Sequence, residues 1–406
     1  MAVPGGTPVP GGSTSVPDAD VVCLGESMVT FLPRLPGRLA DVPSFDRAIG
    51  GAESNVACTL ARTGHTARWI SRVGTDGFGD HLLAAIADCG VDVTHVRRDP
   101  QRPTGIYFRT AGDRATGTHE VAYYRAGSAA SAMTAAHLDR DAVHSGRILH
   151  LSGITAALSE GCLGLMRELT ARRPGRPLLS FDVNYRPGLW REPSQAQALL
   201  ELARGADLVF VGDDEARDAW GLHGARAISE ALPEPDLLVV KQGKRGATVF
   251  QRTTETGGRR GDATGTATGA RRGDATGIAT SGRRDDATAT ATFVPSLNVD
   301  LVAATGAGDA FAAGFLSATL RALPVRTRIR HGHLWAAAAL TVPGDLATPP
   351  GRAHADRLAD LDDAAWGRLH LGPGWTEADA SGRRADASGR RADASGHRAD
   401  EEVRTP

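Results

Sequence analysis

Short apolar runs alternate with amphipathic segments along most of the chain. Apolar residues at helical spacing over 50–62, 79–89 and 160–172 predict helices. Runs rich in apolar and β-branched residues predict buried strands at 20–24, 69–73, 147–152, 178–187, 207–211 and 237–240. This alternation predicts an α/β fold with a doubly wound, mainly parallel sheet flanked by helices.

One segment departs from the alternation. Two β-type runs at 105–110 and 119–125 flank a polar loop and predict a hairpin that stands off the main sheet. Three of the four tyrosines, Tyr107, Tyr123 and Tyr124, fall on this hairpin. Ordinary cross-strand packing accounts for them as well as a lid over a binding site does.

Three segments lack the apolar residues that a folded core needs. Residues 1–18 are rich in proline, glycine and serine, and 253–292 and 376–406 repeat short units of glycine, alanine, arginine and aspartate. We expect these segments to be disordered. One domain is predicted over 19–375, with 253–292 as an insertion that expands a hairpin turn at little entropic cost. The repeats could also contact a partner.

Composition excludes several classes of protein. The formal net charge of the 406 residues is −1, which gives no sign of a nucleic-acid or acidic-membrane partner. The four cysteines are scattered without a CxxC pair, as expected for reduced thiols. The chain starts without a basic, apolar leader and lacks a run of ~20 apolar residues. We therefore expect a cytoplasmic protein.

A glycine turn at 304–309 is the strongest candidate for chemistry. It contains Gly306, Ala307 and Gly308, follows the predicted extended segment 293–302, and runs into an apolar helix. Free backbone N–H groups and the helix dipole would make this turn an anion site. Asp309 is either a charge that stabilises the helix start or a catalytic carboxylate, and the dipole alone favours neither.

Other polar and glycine-rich clusters stand where predicted strands end or helices begin. They are Gly50-Gly51 with Asn55, Asp182 with Asn184 and Arg186, Glu215, and Lys241 with Gly243 and Gly246. In open α/β sheets, ligands bind beyond the carboxyl ends of the strands, so this placement favours a binding site.

In this order, the clusters resemble the ribokinase-like (PfkB) carbohydrate kinases over roughly 20–348. The resemblance rests on Gly25-Glu26, the Gly-Gly-Ala-Glu-Ser-Asn-Val-Ala run from Gly50, Tyr-Tyr-Arg-Ala-Gly-Ser-Ala from Tyr123, and Asp-Val-Asn-Tyr-Arg-Pro-Gly-Leu-Trp from Asp182, together with the glycine turn. It implies a ribokinase-like domain with a small β lid from strands at about 28–48 and 104–127. The implied activity is ATP-dependent phosphorylation of the terminal hydroxyl of 2-keto-3-deoxy-D-gluconate.

The resemblance also implies roles for individual residues. Asp309 would be the general base, and the amides of Gly306, Ala307 and Gly308 would hold the γ-phosphoryl oxygens. Glu215 would help to hold Mg²⁺ through water. The ATP site would comprise Lys241, Gly243, Gly246, Gly306 and Gly308, with the segment 241–246 lining the adenine and ribose.

The sugar site implied by the resemblance has a neutral and a cationic part. The neutral part comprises Gly50, Gly51, Asn55, Asn184, Tyr107 and Tyr123. Arg125 and Arg186 would place guanidinium groups in the pocket, where bidentate hydrogen bonding suits a sugar carboxylate. The alternative for both arginines is a solvated strand end.

Two positions depart from the family pattern. Ala303 stands where the family has an aspartate that helps to bind a monovalent cation, which puts activation by such a cation in doubt. Gly212 replaces an asparagine of the acidic loop, and Asp213 or Asp214 could compensate.

Two other functions fit the same sequence. The first is a PfkB-type kinase for a neutral sugar, such as ribose or fructose, or for a nucleoside. The second is a weakly catalytic regulator that binds a sugar or a nucleotide. Homo-oligomerisation through the lid is a further expectation from the family.

Overall fold

The computed structural model describes residues 18–110, 120–190, 193–252 and 289–377. Nearly all of the two predicted tails and most of the predicted insertion lie outside these residues, as does the predicted loop between the two hairpin runs. Residues 289–292, which we assigned to the insertion, belong instead to a strand.

The strands of the main sheet lie at or near the predicted positions, and several short strands elsewhere were not predicted. In chain order, the strands among the described residues are β1 (Ala19–Leu24), β2 (Met28–Pro33), β3 (Phe45–Gly50), β4 (Ala67–Ile70), β5 (Arg72–Gly74), β6 (Arg97–Asp99), β7 (Ile106–Arg109), β8 (Val121–Tyr124), β9 (Gly146–Ser152), β10 (Leu178–Asp182), β11 (Leu208–Gly212), β12 (Leu237–Lys241), β13 (Gly246–Arg252), β14 (Ala289–Pro295), β15 (Asn298–Val299) and β16 (His370–Leu371).

Helices connect most of the strands of the main sheet. They are α1 (Ala52–Arg62), α2 (Gly77–Ala87), α3 (Arg140–His144), α4 (Gly153–Ala156), α5 (Glu160–Thr170), α6 (Gln197–Gly205), α7 (Asp213–Trp220), α8 (Gly224–Ala231), α9 (Ala307–Leu320), α10 (Val325–Leu340), α11 (Arg352–Ala359) and α12 (Asp363–Arg368). None of these helices combines the length and the apolar character that a membrane crossing requires.

The main sheet confirms the predicted α/β class. Its eight strands have the order β14-β13-β12-β11-β10-β9-β1-β4. The six strands from β12 to β4 are parallel, whereas β13 and β14 pair antiparallel at one edge. Helices cover both faces, which explains why the strands are continuous apolar runs.

The main sheet has a hydrophobic core on each of its faces, and β1 contributes side chains to both. Val21 and Cys23 belong to the core that contains residues of α1, α9 and α10, whereas Val22 and Leu24 belong to the core that contains residues of α5 and α6. Successive side chains of a strand point to opposite faces. The sheet is therefore packed on both sides, and its carboxyl edge can present polar side chains to a ligand.

A smaller sheet forms the lid, which we define as β2, β3, β7 and β8. Its order is β3-β2-β7-β8, with β7 and β8 antiparallel as the hairpin prediction required. Tyr107 lies opposite Tyr123 with ring centroids 5.5 Å apart, and Phe31 stacks on Phe108 at 4.7 Å. Cross-strand aromatic packing is therefore present in the lid.

Three predicted strands have different limits. The run 69–73 divides into β4 and β5, and β5 joins β6 in a separate two-stranded sheet. The strand 178–187 ends at Asp182, because Asn184 has a left-handed backbone with φ of 41° that turns the chain. The extended segment 293–302 is divided between the end of β14 and the short β15.

Candidate active site

The glycine turn lies directly at the N-terminus of α9. Gly306 is the N-cap residue with φ of 77°, and a Cβ there would lie 2.1 Å from the backbone oxygen of Asp345. Only glycine meets both conditions. The first amides of an α-helix lack intrahelical acceptors, and the helix dipole adds positive potential. The turn therefore has the geometry of an anion site, the role that its sequence predicts for it.

Asp309 lies in the first turn of α9, where Asn55 Nδ2 donates a hydrogen bond of 2.8 Å to its Oδ2. Burial raises the pKa of Asp309 to about 7, and the charge of Asp182 adds to this rise. The Asn55 hydrogen bond and the charges of Arg186 and Lys241 act in the opposite direction. A carboxyl group with a pKa near neutrality can accept a proton at physiological pH.

The start of α1 brings the predicted Gly50, Gly51 and Asn55 to the same place. Gly51 is the N-cap residue of α1 and packs against the backbone of Glu26 and Ser27. A Cβ on Gly50 would lie 2.2 Å from the Tyr107 hydroxyl oxygen. These glycines thus let the lid and the segment that follows β1 approach the start of α1 closely.

Lys241 lies in a different place from the one predicted. Its Nζ donates to both carboxylate oxygens of Asp182 at 3.0 Å each, and a Cβ on Gly308 would lie 3.7 Å from the same Nζ. Nearby carboxylates raise the pKa of Lys241 against the effect of burial, so the side chain carries a positive charge. We assigned it to the adenine and ribose, but the ammonium group lies beside the glycine turn.

The predicted Arg186 and Glu215 contact each other. Glu215 Oε2 accepts from the backbone N–H of Gly212 at 2.8 Å, and Arg186 Nη1 lies 3.3 Å from Oε1. The Arg186 side chain is 53% exposed. Burial raises the pKa of Glu215, although the charges of Lys241 and Arg186 oppose the rise. Arg186 is therefore paired with the predicted metal ligand rather than unpaired in the pocket.

Arg125 is also paired. It lies just beyond β8 and forms an ion pair with the buried Glu26, whose Oε1 accepts from Ser128 Oγ at 2.6 Å. The Arg125 guanidinium lies 5.8 Å from the centroid of the Tyr123 ring, which is 53% exposed. The Nε of Arg125 is buried and has no hydrogen-bond partner among the described residues. One donor of this guanidinium therefore lacks a protein partner, although it is buried in this arrangement.

Asn184 sits just beyond the end of β10. It is buried, its backbone is left-handed, and its Oδ1 lacks a hydrogen-bond partner within the described part of the chain. Such backbone conformations concentrate at binding and catalytic sites. The arrangement suits the predicted contact with a ligand hydroxyl.

The two glycines after β12 differ. Gly246 has φ of 135°, and a Cβ there would lie 2.2 Å from the backbone oxygen of Val294. The pairing of β13 with β14 therefore explains this glycine, and nucleotide binding is not needed to account for it. Gly243 has φ of 56° and nothing within 4 Å of its Cβ position, which leaves space for a ligand.

Several contacts were not predicted from the sequence. Asp345 accepts a 2.5 Å hydrogen bond from the Tyr107 hydroxyl and pairs with Arg109, and Glu26 pairs with Arg125. In the sequence, Pro343-Gly344-Asp345 indicates only the end of a helix. Asp213, a suggested substitute metal ligand, is engaged by Arg245 and by the backbone N–H of Gly224.

The site offers limited support for Mg²⁺. No group of three or more histidine, cysteine, aspartate or glutamate side chains among the described residues is placed to hold a metal ion. Mg²⁺ commonly binds through one or two carboxylates together with water and substrate phosphates. The partly buried Glu215 and the buried Asp182 fit an ion that arrives with a nucleotide, but not a protein-only metal site.

These groups define a class of site. Backbone amides and an ammonium group can stabilise a transferring anion, while the adjacent carboxylate can take a proton from a hydroxyl. Such a site is suited to phosphoryl transfer to an alcohol.

Comparison with known proteins supports the same class. The model of the pfkB family carbohydrate kinase matches residues 18–268 and 272–350. A 2-dehydro-3-deoxygluconokinase from Bacillus subtilis (strain 168) is 33% identical over 346 residues, which cover 82% of this chain and 93% of that protein. A probable chloroplastic fructokinase-6 from Arabidopsis thaliana is 30% identical over 336 residues, with 79% and 77% covered.

A solved PfkB protein from Polaromonas sp. JS666 has a TM-score of 0.66 and 32% identity, and the match covers 83% of this chain and 99% of that one. The chain therefore belongs to the pfkB family of carbohydrate kinases. It is a phosphotransferase with an alcohol group as acceptor.

Proposed function

We propose that the protein transfers the γ-phosphoryl group of ATP to the terminal hydroxyl of 2-keto-3-deoxy-D-gluconate, giving 2-keto-3-deoxy-6-phosphogluconate and ADP. The observation that carries the phosphoryl transfer is the position of Asp309, which lies within the anion-binding turn and has a pKa near 7. The substrate is supported by similarity to a 2-dehydro-3-deoxygluconokinase, named for the same sugar acid, and by Arg186, whose charge acts on Asp309.

The proposed reaction uses Asp309 as the general base. The sugar hydroxyl gives its proton to the Asp309 carboxylate while its oxygen bonds to the γ-phosphorus. The bond from that phosphorus to the bridging β–γ oxygen breaks, and ADP leaves with the bonding electrons. The Asn55 hydrogen bond to Oδ2 restricts the rotation of the carboxylate and leaves Oδ1 as the acceptor for the proton.

The chain supplies two kinds of positive potential for the moving phosphoryl group. The amides that begin α9 face it from the glycine turn, and Lys241 approaches from the end of β12. Both are fixed before the reaction, so they stabilise developing charge without reorganisation. A bound Mg²⁺ would neutralise further phosphate charge, with Glu215 as the carboxylate best placed to orient its water ligands.

A carboxylated sugar is supported by the cationic groups around the pocket. The free Nε of Arg125 and the exposed guanidinium of Arg186 are donors that a neutral sugar does not require. Each arginine pairs with a glutamate, and an incoming carboxylate would share or replace that partner. On the lid side, the exposed Tyr123 supplies ring surface and a hydroxyl group, whereas Tyr107 is buried and its hydroxyl donates to Asp345, which leaves it unable to take the role that the sequence suggested.

A neutral sugar is the second candidate. The fructokinase relative, at 30% identity, favours it. Because both arginines already have carboxylate partners, the pocket could accept an uncharged ketose. Incubation with ATP, Mg²⁺ and each sugar, followed by mass spectrometry of the product, tests the proposal. A 6-phosphate of the sugar acid together with ADP is expected, and ligand binding without ADP formation would instead indicate a regulator.

The first expected result concerns pH. Because Asp309 must be deprotonated to accept a proton, kcat/KM for the sugar should rise with pH and reach half its maximum near pH 7. Burial also raises the pKa of Glu53 to about 7, so Glu53→Gln is the matched control. In that variant, kcat/KM should still fall as the pH decreases below about 7, and this fall is the acidic limb of the pH profile. Loss of the acidic limb in Glu53→Gln would show that it reports the protonation of Glu53.

The second expected result concerns Arg186. Arg186→Ala should raise KM for the sugar acid by about 10-fold to 100-fold, because a charge-assisted hydrogen bond is lost, while KM for ATP changes little. Arg217→Ala removes another exposed arginine that pairs with a neighbouring acid and should have no effect. A changed Mg²⁺ requirement with an unchanged sugar KM would show that Arg186 serves Glu215 instead.

A further inference from the structure

Asp345 connects two parts of the site that are far apart in sequence. It lies in the segment between α10 and α11, and its side chain is 5% exposed. Both of its carboxylate oxygens are used by β7 of the lid. Oδ2 accepts from the Tyr107 hydroxyl at 2.5 Å, and Oδ1 accepts from Arg109 Nη2. Arg109 also donates to the backbone oxygen of Pro343 at 3.4 Å.

The backbone of Asp345 contacts the glycine turn. The close approach of its carbonyl oxygen to Gly306 leaves no room for a Cβ at that position. Gly306 is the N-cap residue of α9, so its conformation sets the direction of the first amides of the predicted anion site. One residue thus holds the lid with its side chain and supports the phosphate end of the site with its backbone.

The contacts between Asp345 and β7 require the lid to be closed. A buried charge without a partner is strongly destabilising, so Asp345 and Arg109 are stable in their buried positions only as a pair. Movement of β7 away from the sheet would break both contacts to the carboxylate. Asp345 would then have to move or take up water, and the support of Gly306 would change with it.

We propose that Asp345 is a positioning residue that couples closure of the lid over the sugar to the order of the glycine turn that receives the phosphoryl group. This proposal rests on the proposed function in one respect, namely that the sugar binds on the side of the site that the lid covers. It predicts that the sugar and the nucleotide bind cooperatively, since each ligand favours the same closed arrangement.

The test uses the full chain with Asp345→Asn, which keeps the shape and removes the charge. The dissociation constant of a non-hydrolysable ATP analogue is measured with and without whichever sugar the wild type phosphorylates. The wild type should bind the analogue about 5-fold or more tightly when the sugar is present. In Asp345→Asn that enhancement should vanish, and kcat should fall by up to about 10²-fold, the effect of a small misplacement of reacting groups.

Two further variants separate coupling from simple stability. Asp46→Asn breaks the exposed ion pair between Arg34 and Asp46 on the same lid and should leave the enhancement intact. Arg109→Gln combined with Asp345→Asn removes both buried charges. The double variant should regain thermal stability relative to Asp345→Asn but not cooperativity. The sugar lowers the dissociation constant of the ATP analogue by some factor in each protein. If that factor in either Asp345 variant is within twofold of the wild-type factor, the proposal is overturned.

Hydrogen exchange without ligands gives a result that does not depend on the substrate. Asp345→Asn should increase exchange in β7 and at the N-terminus of α9 together, whereas Asp46→Asn should increase neither. Faster exchange in β7 alone would contradict the coupling. If the wild type phosphorylates fructose rather than the sugar acid, the proposed substrate fails, and the coupling is still tested with fructose.

Discussion

Asp309→Asn should lower kcat by about 10²-fold to 10⁴-fold, the range that general acid–base catalysis contributes. The substitution keeps the size of the side chain and the first turn of α9 but removes the proton acceptor. Affinity for the nucleotide should change little, because the amides of the glycine turn remain. Steady-state kinetics and direct binding of a non-hydrolysable ATP analogue measure the two quantities separately.

Asp300→Asn is the matched control for that variant. Asp300 lies nine residues earlier, is largely exposed, and pairs with the imidazole of His370. Its substitution should leave kcat unchanged. Activity of Asp309→Asn within tenfold of the wild type would remove Asp309 as the base and return it to the alternative of a charge that stabilises the helix.

Lys241→Met is expected to have the second large effect, lowering kcat by about 10²-fold to 10³-fold through loss of a preorganised charge beside the glycine turn. The positive charge of Lys241 also lowers the pKa of Asp309. Its removal should therefore shift the acidic limb of the pH profile to higher pH. Lys241→Arg should recover part of the rate.

Lys244 provides the control for this experiment. It is exposed on the turn that follows β12, only three residues away, and Lys244→Met should leave both the rate and the pH profile unchanged. Weaker ATP affinity with an unchanged kcat in Lys241→Met would support the position beside the adenine and ribose that the sequence suggested.

Local features of the site could be predicted from the sequence. The glycine turn and the start of the apolar helix at Gly306 could be predicted, because their conformation depends on a few neighbouring residues. The anion site that they would form stays a prediction. The β7–β8 hairpin was predictable for the same reason, because its two strands are close together in the sequence. The limits of β10 were less predictable, since the left-handed backbone of Asn184 comes from the surrounding fold.

Side-chain pairing could not be predicted in the same way. Asp182, Gly212 and Lys241 end the adjacent strands β10, β11 and β12, so the carboxylate and the ammonium group meet across the strand between them. The sequence indicates where each strand ends but not which strands are neighbours. Arg186 meets Glu215 for the same reason, and the sequence predicted neither pairing.

Asp345 shows the same limit more strongly. It follows a helix-ending Pro-Gly pair and lies more than 230 residues after its lid partners. Its two contacts, to the lid and to the glycine turn, depend entirely on tertiary packing. A buried acid in a connecting segment has no local pattern that would identify it.

The proposed preference of this kinase for a sugar acid is tested by the ratio of its kcat/KM values for 2-keto-3-deoxygluconate and fructose. The two substrates compete for the same site in one reaction, with products separated by mass. A ratio of about 10² or more in favour of the sugar acid is expected from charge-assisted contacts that fructose cannot make. A ratio near one, or in favour of fructose, would show that the kinase does not select for the carboxylate.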